Sequence, residues 1–158
     1  MLRAMVHSGS LRRLFNDYKD KIDFIFVYIL EAHPADGWIM GSHYSTFNDA
    51  TTVDERIDAA RLLIEVDTEY KTFTEDIRGV DQIPILLDNM NNDFNRAYSA
   101  QPDRIFVLRD GKFEYIGETV SDSLQANPKK LASDLVRDWL ETVIVPTVST
   151  VIQSQREA

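Results

Sequence analysis

Residues Asp23 to Leu30 read DFIFVYIL, a nearly unbroken apolar run of aromatic and β-branched side chains. Such a run fits a central strand buried on both faces. It stops at Glu31 to Trp38, EAHPADGW, where Pro34 and the Asp36-Gly37 pair are turn signals. Upstream, Ser10 to Asp20 reads as the end of an amphipathic helix, with Ser10 as its cap and Leu11, Leu14, Phe15 and Tyr18 on one face. Downstream, Met40 to Thr52 is polar and irregular. Val53 to Val66 is predicted as a helix with Thr52 and Glu55 as a capping box and Ile57, Ala60, Leu63 and Ile64 as its stripe.

Asp67 to Asp81 carries no clear period. Ile83 to Leu87, IPILL, predicts a short strand whose start or one edge is unpaired at Pro84. A short helix is predicted over Asn92 to Ser99. Arg104–Arg109 and Lys112–Ile116 flank Asp110-Gly111, a strong hairpin signal. A last helix is expected from a cap at Asn127, with Pro128 in its first turn, to about Thr142, ended by Pro146. Strands separated by helices imply a parallel layer, and the hairpin would add an antiparallel edge. The fold class is therefore α/β: the order of a thioredoxin-like three-layer fold, a mixed sheet flanked by helices, missing the first strand and the loop that carries the nucleophile. The expected division is a domain over 1–145 and a tail over 146–158.

The 158 residues are 44% hydrophobic and 27% charged, a balance that can bury a core rather than stay disordered. A net charge of −9 argues against nucleic acid or an anionic membrane surface as partner. There is no cysteine, which rules out disulfides, thiolate zinc sites and thiol chemistry within these residues. His7, His33 and His43 lack paired ligand spacing, so no metal is expected. No run of about 18 apolar residues is present to span a membrane, and the setting expected is the cytoplasm.

Asp23 to Trp38, DFIFVYILEAHPADGW, closely resembles the signature of the iodothyronine deiodinases, D-F-L-x-V-Y-I-x-E-A-H-x-x-D-G-W. Asp88, Met90 and Asn91 in DNMNN resemble that family's D-x-M-N-N, and Tyr98, Ala100, Pro102 and Arg104 fall where its Y-x-A-x-P-E-R would place them. The resemblance runs from about Leu11 to Leu140. It implies a thioredoxin-fold selenoprotein, or a cysteine homologue, that removes iodine reductively from aromatic rings. It also implies an external thiol reductant rather than a bound cofactor, a halogenated aromatic substrate and a homodimer. The family's selenocysteine would fall close to Met1 or just before it, and Met1 is expected to be a false start behind a recoded stop codon. A second family histidine would fall near Asp49 or Ala50, where none stands, and no counterpart of the membrane anchor of animal enzymes is expected.

In catalysis the resemblance points to His33, Glu31 and Tyr28. A histidine titrates near neutrality, which suits a general acid, and Glu31 is expected to fix its tautomer. Tyr28 joins them only if the strand ends or bulges before Glu31, because an odd separation puts the two on opposite faces of a straight strand. The competing readings are a turn histidine bonded to backbone, a solvated carboxylate and a packed aromatic. Arg104 is expected either to clamp a substrate carboxylate or to pair with Asp103 or Asp110. Pro102 is expected to face the nucleophile, as a proline before this strand often does in the fold. Asp23, Phe24, Asp36, Gly37 and Trp38 are expected to be architecture, with Gly37 permitting the turn, Asp36 bonding its backbone and Trp38 as a large anchor. The family links this segment to dimerisation, with core packing as the alternative. The rival functions are a non-catalytic binding module that keeps the fold, and a redoxin of the peroxiredoxin type.

Overall fold

A computed structural model describes residues 8–39, 47–119 and 130–156, with side chains of the last helix to residue 144. His7, His43, the Asn127 cap, Pro128 and the surroundings of Met1 lie outside the described residues. The elements are α1 (Ser10–Tyr18), β1 (Phe26–Tyr28), α2 (Val53–Val66), β2 (Phe73–Thr74), β3 (Ile83–Leu87), α3 (Asp93–Tyr98), β4 (Phe106–Arg109), β5 (Lys112–Ile116) and α4 (Ala132–Arg156).

β1, β3 and β2 form a parallel sheet in that order, with Tyr28 opposite Leu87 and Phe73 opposite Ile83. The central strand is thus IPILL, and DFIFVYIL sits at an edge of the described sheet, paired over only three residues. The reason lies in Pro84. Continuing the register backwards sets Ile25 opposite Pro84, which has no N–H to give, so pairing starts at Phe26 and Ile25 is left 63% exposed. Pro84 has a register partner only in β2, Thr74, so the edge left unpaired at this residue is the one toward β1.

The aromatics of the run do pack. Phe24 meets Phe15 of α1 edge-on at 5.3 Å and Phe26 meets Phe73 at 4.9 Å. Leu11, Leu14, Phe15 and Tyr18 of α1 share one core with Leu63, Phe73, Ile83, Val136 and Leu140. Fully burying side chains of the size of Phe73 and Val136, each 1% exposed, stabilises the fold by about 1.5–3 kcal/mol apiece. Ser10 is not the cap of α1. Gly9 holds that place at φ 65°, which suits a residue with no Cβ. The Ser10 hydroxyl instead meets that of Ser133 at 2.7 Å, joining α1 to α4 in the core.

α2 carries the predicted capping box. The Thr52 hydroxyl accepts from Glu55 N–H, and the Glu55 carboxylate accepts from the backbone of Thr52 and Thr51. The Thr51 N–H is the largest influence holding that carboxyl below its ordinary value. The β4–β5 hairpin turns at Asp110 and Gly111, both at positive φ, and forms a two-stranded sheet of its own instead of extending the parallel one. Ile105, Val107 and Tyr115 attach it to the core through side chains. α4 does not stop at Pro146 but continues to Arg156. A proline removes one N–H from the ladder, here the one facing the Thr142 carbonyl, and a helix can run on through that loss.

Candidate active site

β1 and β3 are parallel, so their carboxyl ends share one end of the sheet, the place where α/β folds bind ligands. β1 ends at Tyr28, and the chain turns at once. That lets the Tyr28 hydroxyl donate to Glu31 Oε1, bringing together two residues that a straight strand would separate. His33 follows, half-buried, with Nδ1 3.2 Å from the Trp38 carbonyl oxygen. A carbonyl only accepts, so the neutral ring carries its proton on Nδ1 and keeps the Nε2 lone pair open. The tautomer-fixing expected of Glu31 therefore falls to the backbone of Trp38, while Glu31 is engaged by Tyr28.

The rest of the turn is architecture of a slightly different kind from that expected. Trp38 is 76% exposed and is no buried anchor; its ring stands edge-on to the His33 ring at 4.9 Å. Gly37 is needed for a close approach, since a Cβ there would come within 2.9 Å of Pro34 Cγ. Asp36 accepts from Asp49 N–H at 3.0 Å, and Ala35 N–H donates to the Phe47 carbonyl, so the turn is tied to the segment leading into α2. Asp23 is exposed, and Phe24 packs on α1.

Before β4, the Gln101–Pro102 peptide is cis, and Pro102 is exposed. Arg104 makes no ion pair with Asp103 or Asp110, and among the described residues its buried Nε has no hydrogen-bond partner. Both carboxylate oxygens of Asp103 are buried too, without a hydrogen-bond partner among the described residues, and burial pushes that carboxyl up from its ordinary value. Two surface hollows, about 270 and 530 Å³, lie elsewhere: one beside Asp67 and Phe73, the other between Tyr18 and Arg137. Among the described residues no three His, Cys, Asp or Glu side chains gather as a metal site.

Sequence reasoning passed over Arg56. It is 2% exposed and donates through Nη1 to the carbonyls of Asp88 (3.1 Å) and Asn89 (2.7 Å), just past the end of β3. Its signal was its place on α2: residues 56, 60 and 63 share one face at helical spacing, and the other two are apolar. Asp88, noted only as part of DNMNN, is 5% exposed and accepts from Phe94 and Asn95 N–H at 2.9 Å each, capping α3.

Helices around a parallel β-sheet, with a separate antiparallel hairpin, make an α/β domain of the thioredoxin-like class. The iodothyronine deiodinase profile matches residues 4–144, and the chain belongs to that family of oxidoreductases. It is 28% identical to thyroxine 5-deiodinase of Bos taurus over 137 residues, 87% of this chain and 39% of that protein. The same enzyme of Homo sapiens gives 28% over 87% of this chain and 38% of its own length. Type II iodothyronine deiodinase of Fundulus heteroclitus gives 33% over 138 residues, 85% of this chain and 46% of that protein. The chain thus spans less than half the length of these curated relatives. No helix among the described residues is long and apolar enough to cross a membrane.

Proposed function

We propose that this chain supplies the proton-delivering framework for reductive removal of iodine from an iodothyronine-type aromatic ring, with His33 as general acid. The observation that carries the reading is the Trp38 carbonyl at Nδ1 of His33, which leaves Nε2 as the position from which a proton is taken up and delivered. In this scheme a selenolate or thiolate takes the iodine, the electron pair of the carbon–iodine bond stays on carbon, and carbon accepts the proton from Nε2. Two equivalents of an external thiol then release iodide and become a disulfide. Glu31, held by Tyr28, stands beside the turn that carries His33. Arg104, unpaired at Nε and adjoining Pro102, is the candidate for a substrate carboxylate.

The nucleophile has to come from outside these 158 residues, which contain no cysteine. A thiol-dependent reaction suits a reducing compartment, and the cytoplasm is the setting that goes with this reading. A homodimer joined along Asp23–Tyr28 accompanies this reading, supported by a β1 that among the described residues pairs only with β3, and by the exposed Ile25. The missing thiol also favours a second reading, a binding module that holds an iodinated aromatic without turning it over.

The test is iodide release from thyroxine with dithiothreitol, for the 158 residues alone and for the chain preceded by what its gene encodes upstream in frame. The short chain is expected to release none above its His33→Ala control, and the extended chain to lose at least about 100-fold on His33→Gln, the usual scale for a general acid. Release by the short chain, or an extended chain indifferent to His33→Gln, overturns the proposal. Binding without release by both chains supports the second reading.

A further inference from the structure

Arg56 is a guanidinium sealed in the protein that, among the described residues, has no carboxylate partner and no acceptor at Nε. Burying a charge that way is unfavourable, and two carbonyl oxygens compensate it only in part. What those carbonyls belong to gives the arrangement its sense. Asp88 carries one of them, and Asp88 is a junction. Its N–H donates to the Tyr28 carbonyl at 2.9 Å, fixing the point where β1 turns toward Glu31 and His33. Its carboxylate holds the N–H groups of Phe94 and Asn95. The Asn95 side chain in turn accepts from Gln101 N–H at 2.9 Å, immediately before Pro102. One hydrogen-bonded path therefore runs from Arg56 through Asp88 to the histidine turn, and another from Asp88 through Asn95 to the cis-proline loop.

We propose that Arg56 is a positioning residue that, through Asp88, sets the His33 turn and the Pro102–Arg104 loop relative to each other. An arginine suits this because one planar group can meet two neighbouring carbonyls at once, whereas a lysine ammonium is a single point. The assignment deepens the proposed proton delivery and rests on it only for its purpose. The measurements below read the positioning itself, so they can fail while His33→Gln still abolishes turnover, or the reverse.

The experiment compares Arg56→Met, Arg56→Lys and Arg61→Met, the last a control on the exposed side of the same helix, where Arg61 pairs with Glu75. Amide exchange is followed at Asp88, Gln101 and the helix Ala132–Leu140. The quenching of Trp38 emission by the adjoining His33 ring is measured as the difference from a His33→Ala partner of each variant. Arg56→Met is expected to speed exchange at both Asp88 and Gln101 by about tenfold, leave the α4 amides within about twofold, and lose at least half of the His33-dependent quenching. Arg56→Lys, a point charge that cannot meet both carbonyls as the planar fork does, is expected to be intermediate, raising exchange at both amides by about threefold and keeping part of the quenching. Parent-like exchange at either amide in folded Arg56→Met, unchanged quenching, or a uniform rise including α4 overturns the assignment. Should Arg56→Met not fold, Arg56→Lys decides: a rise of about threefold at both amides supports the role, and parent rates at both refute it.

Discussion

Replacing Asp88 by alanine removes the acceptor of two N–H groups, those of Phe94 and Asn95, each held at 2.9 Å in a partly buried setting. Hydrogen bonds to a charged group contribute about 1.5–3 kcal/mol each. Because these donors are only partly buried, the lower end applies, giving a loss of about 3 kcal/mol. Against a domain stability of about 5–15 kcal/mol that is a large fraction, and it corresponds to a fall in Tm of roughly 6–12 °C for a chain of this size. Asp88→Asn keeps one acceptor oxygen and turns an amide group toward the other N–H, so about half the loss is expected, near 1.5 kcal/mol. Urea unfolding followed by circular dichroism, with the slope against denaturant unchanged, measures both. If Asp88→Ala lies within about 0.5 kcal/mol of the parent, or Asp88→Asn is as damaging as alanine, the capping account of this residue is wrong.

Asp103→Asn tests the unpartnered carboxylate. Burial raises its folded-state pKa, so its favourable contribution is complete below the ordinary carboxylate range and is lost as pH rises through the raised value. The amide variant, neutral throughout, is expected to melt above the parent at neutral pH and to lose that advantage in acid; parallel Tm-against-pH curves would contradict this. Thr52→Ala removes the hydroxyl cap of α2 and is expected to cost about 1 kcal/mol in chemical denaturation, an unchanged midpoint being the adverse result. Gly37→Ala forces a Cβ against Pro34, and a loss of about 1 kcal/mol is expected; a variant as stable as the parent would show that the turn yields freely. Ile25→Lys puts charge on the β1 edge, and sedimentation at micromolar concentration is expected to find dimers of the parent and monomers of the variant. A monomeric parent, or a dimeric variant, removes that interface.

The parts of this fold that local chemistry governs were legible in the sequence. Thr52 and Glu55 announce their helix because a cap acts within four residues, and Asp110-Gly111 announces its hairpin because two positive φ angles need those side chains. The parallel α/β order followed from the alternation of patterns. What periodicity does not contain is which neighbour a strand meets. DFIFVYIL has the composition of a central strand, yet Pro84 on the facing strand decides that pairing starts no earlier than Phe26. Pro146 reads as a stop, yet the helix passes through it. In the candidate site, Tyr28, Glu31 and His33 could be singled out from the sequence, and the end of β1 at Tyr28 is what brings the first two together. The partner of His33 was not visible, because a backbone carbonyl has no residue type to announce it. Arg56 was hidden for the opposite reason: a charged side chain on an apolar stripe looks like a lapse in the stripe until its acceptors are located.

The Asp88 junction bears on transplantation. A designer who moves the Glu-Ala-His turn into another scaffold of this class would be moving a part without its mounting. Tyr28 is fastened to Asp88, Asp88 is gripped by Arg56, and Asn95 carries the same fastening across to Gln101. The smallest portable unit therefore comprises scattered single residues from two helices and a strand end, together with the loop whose fingerprint is easy to see.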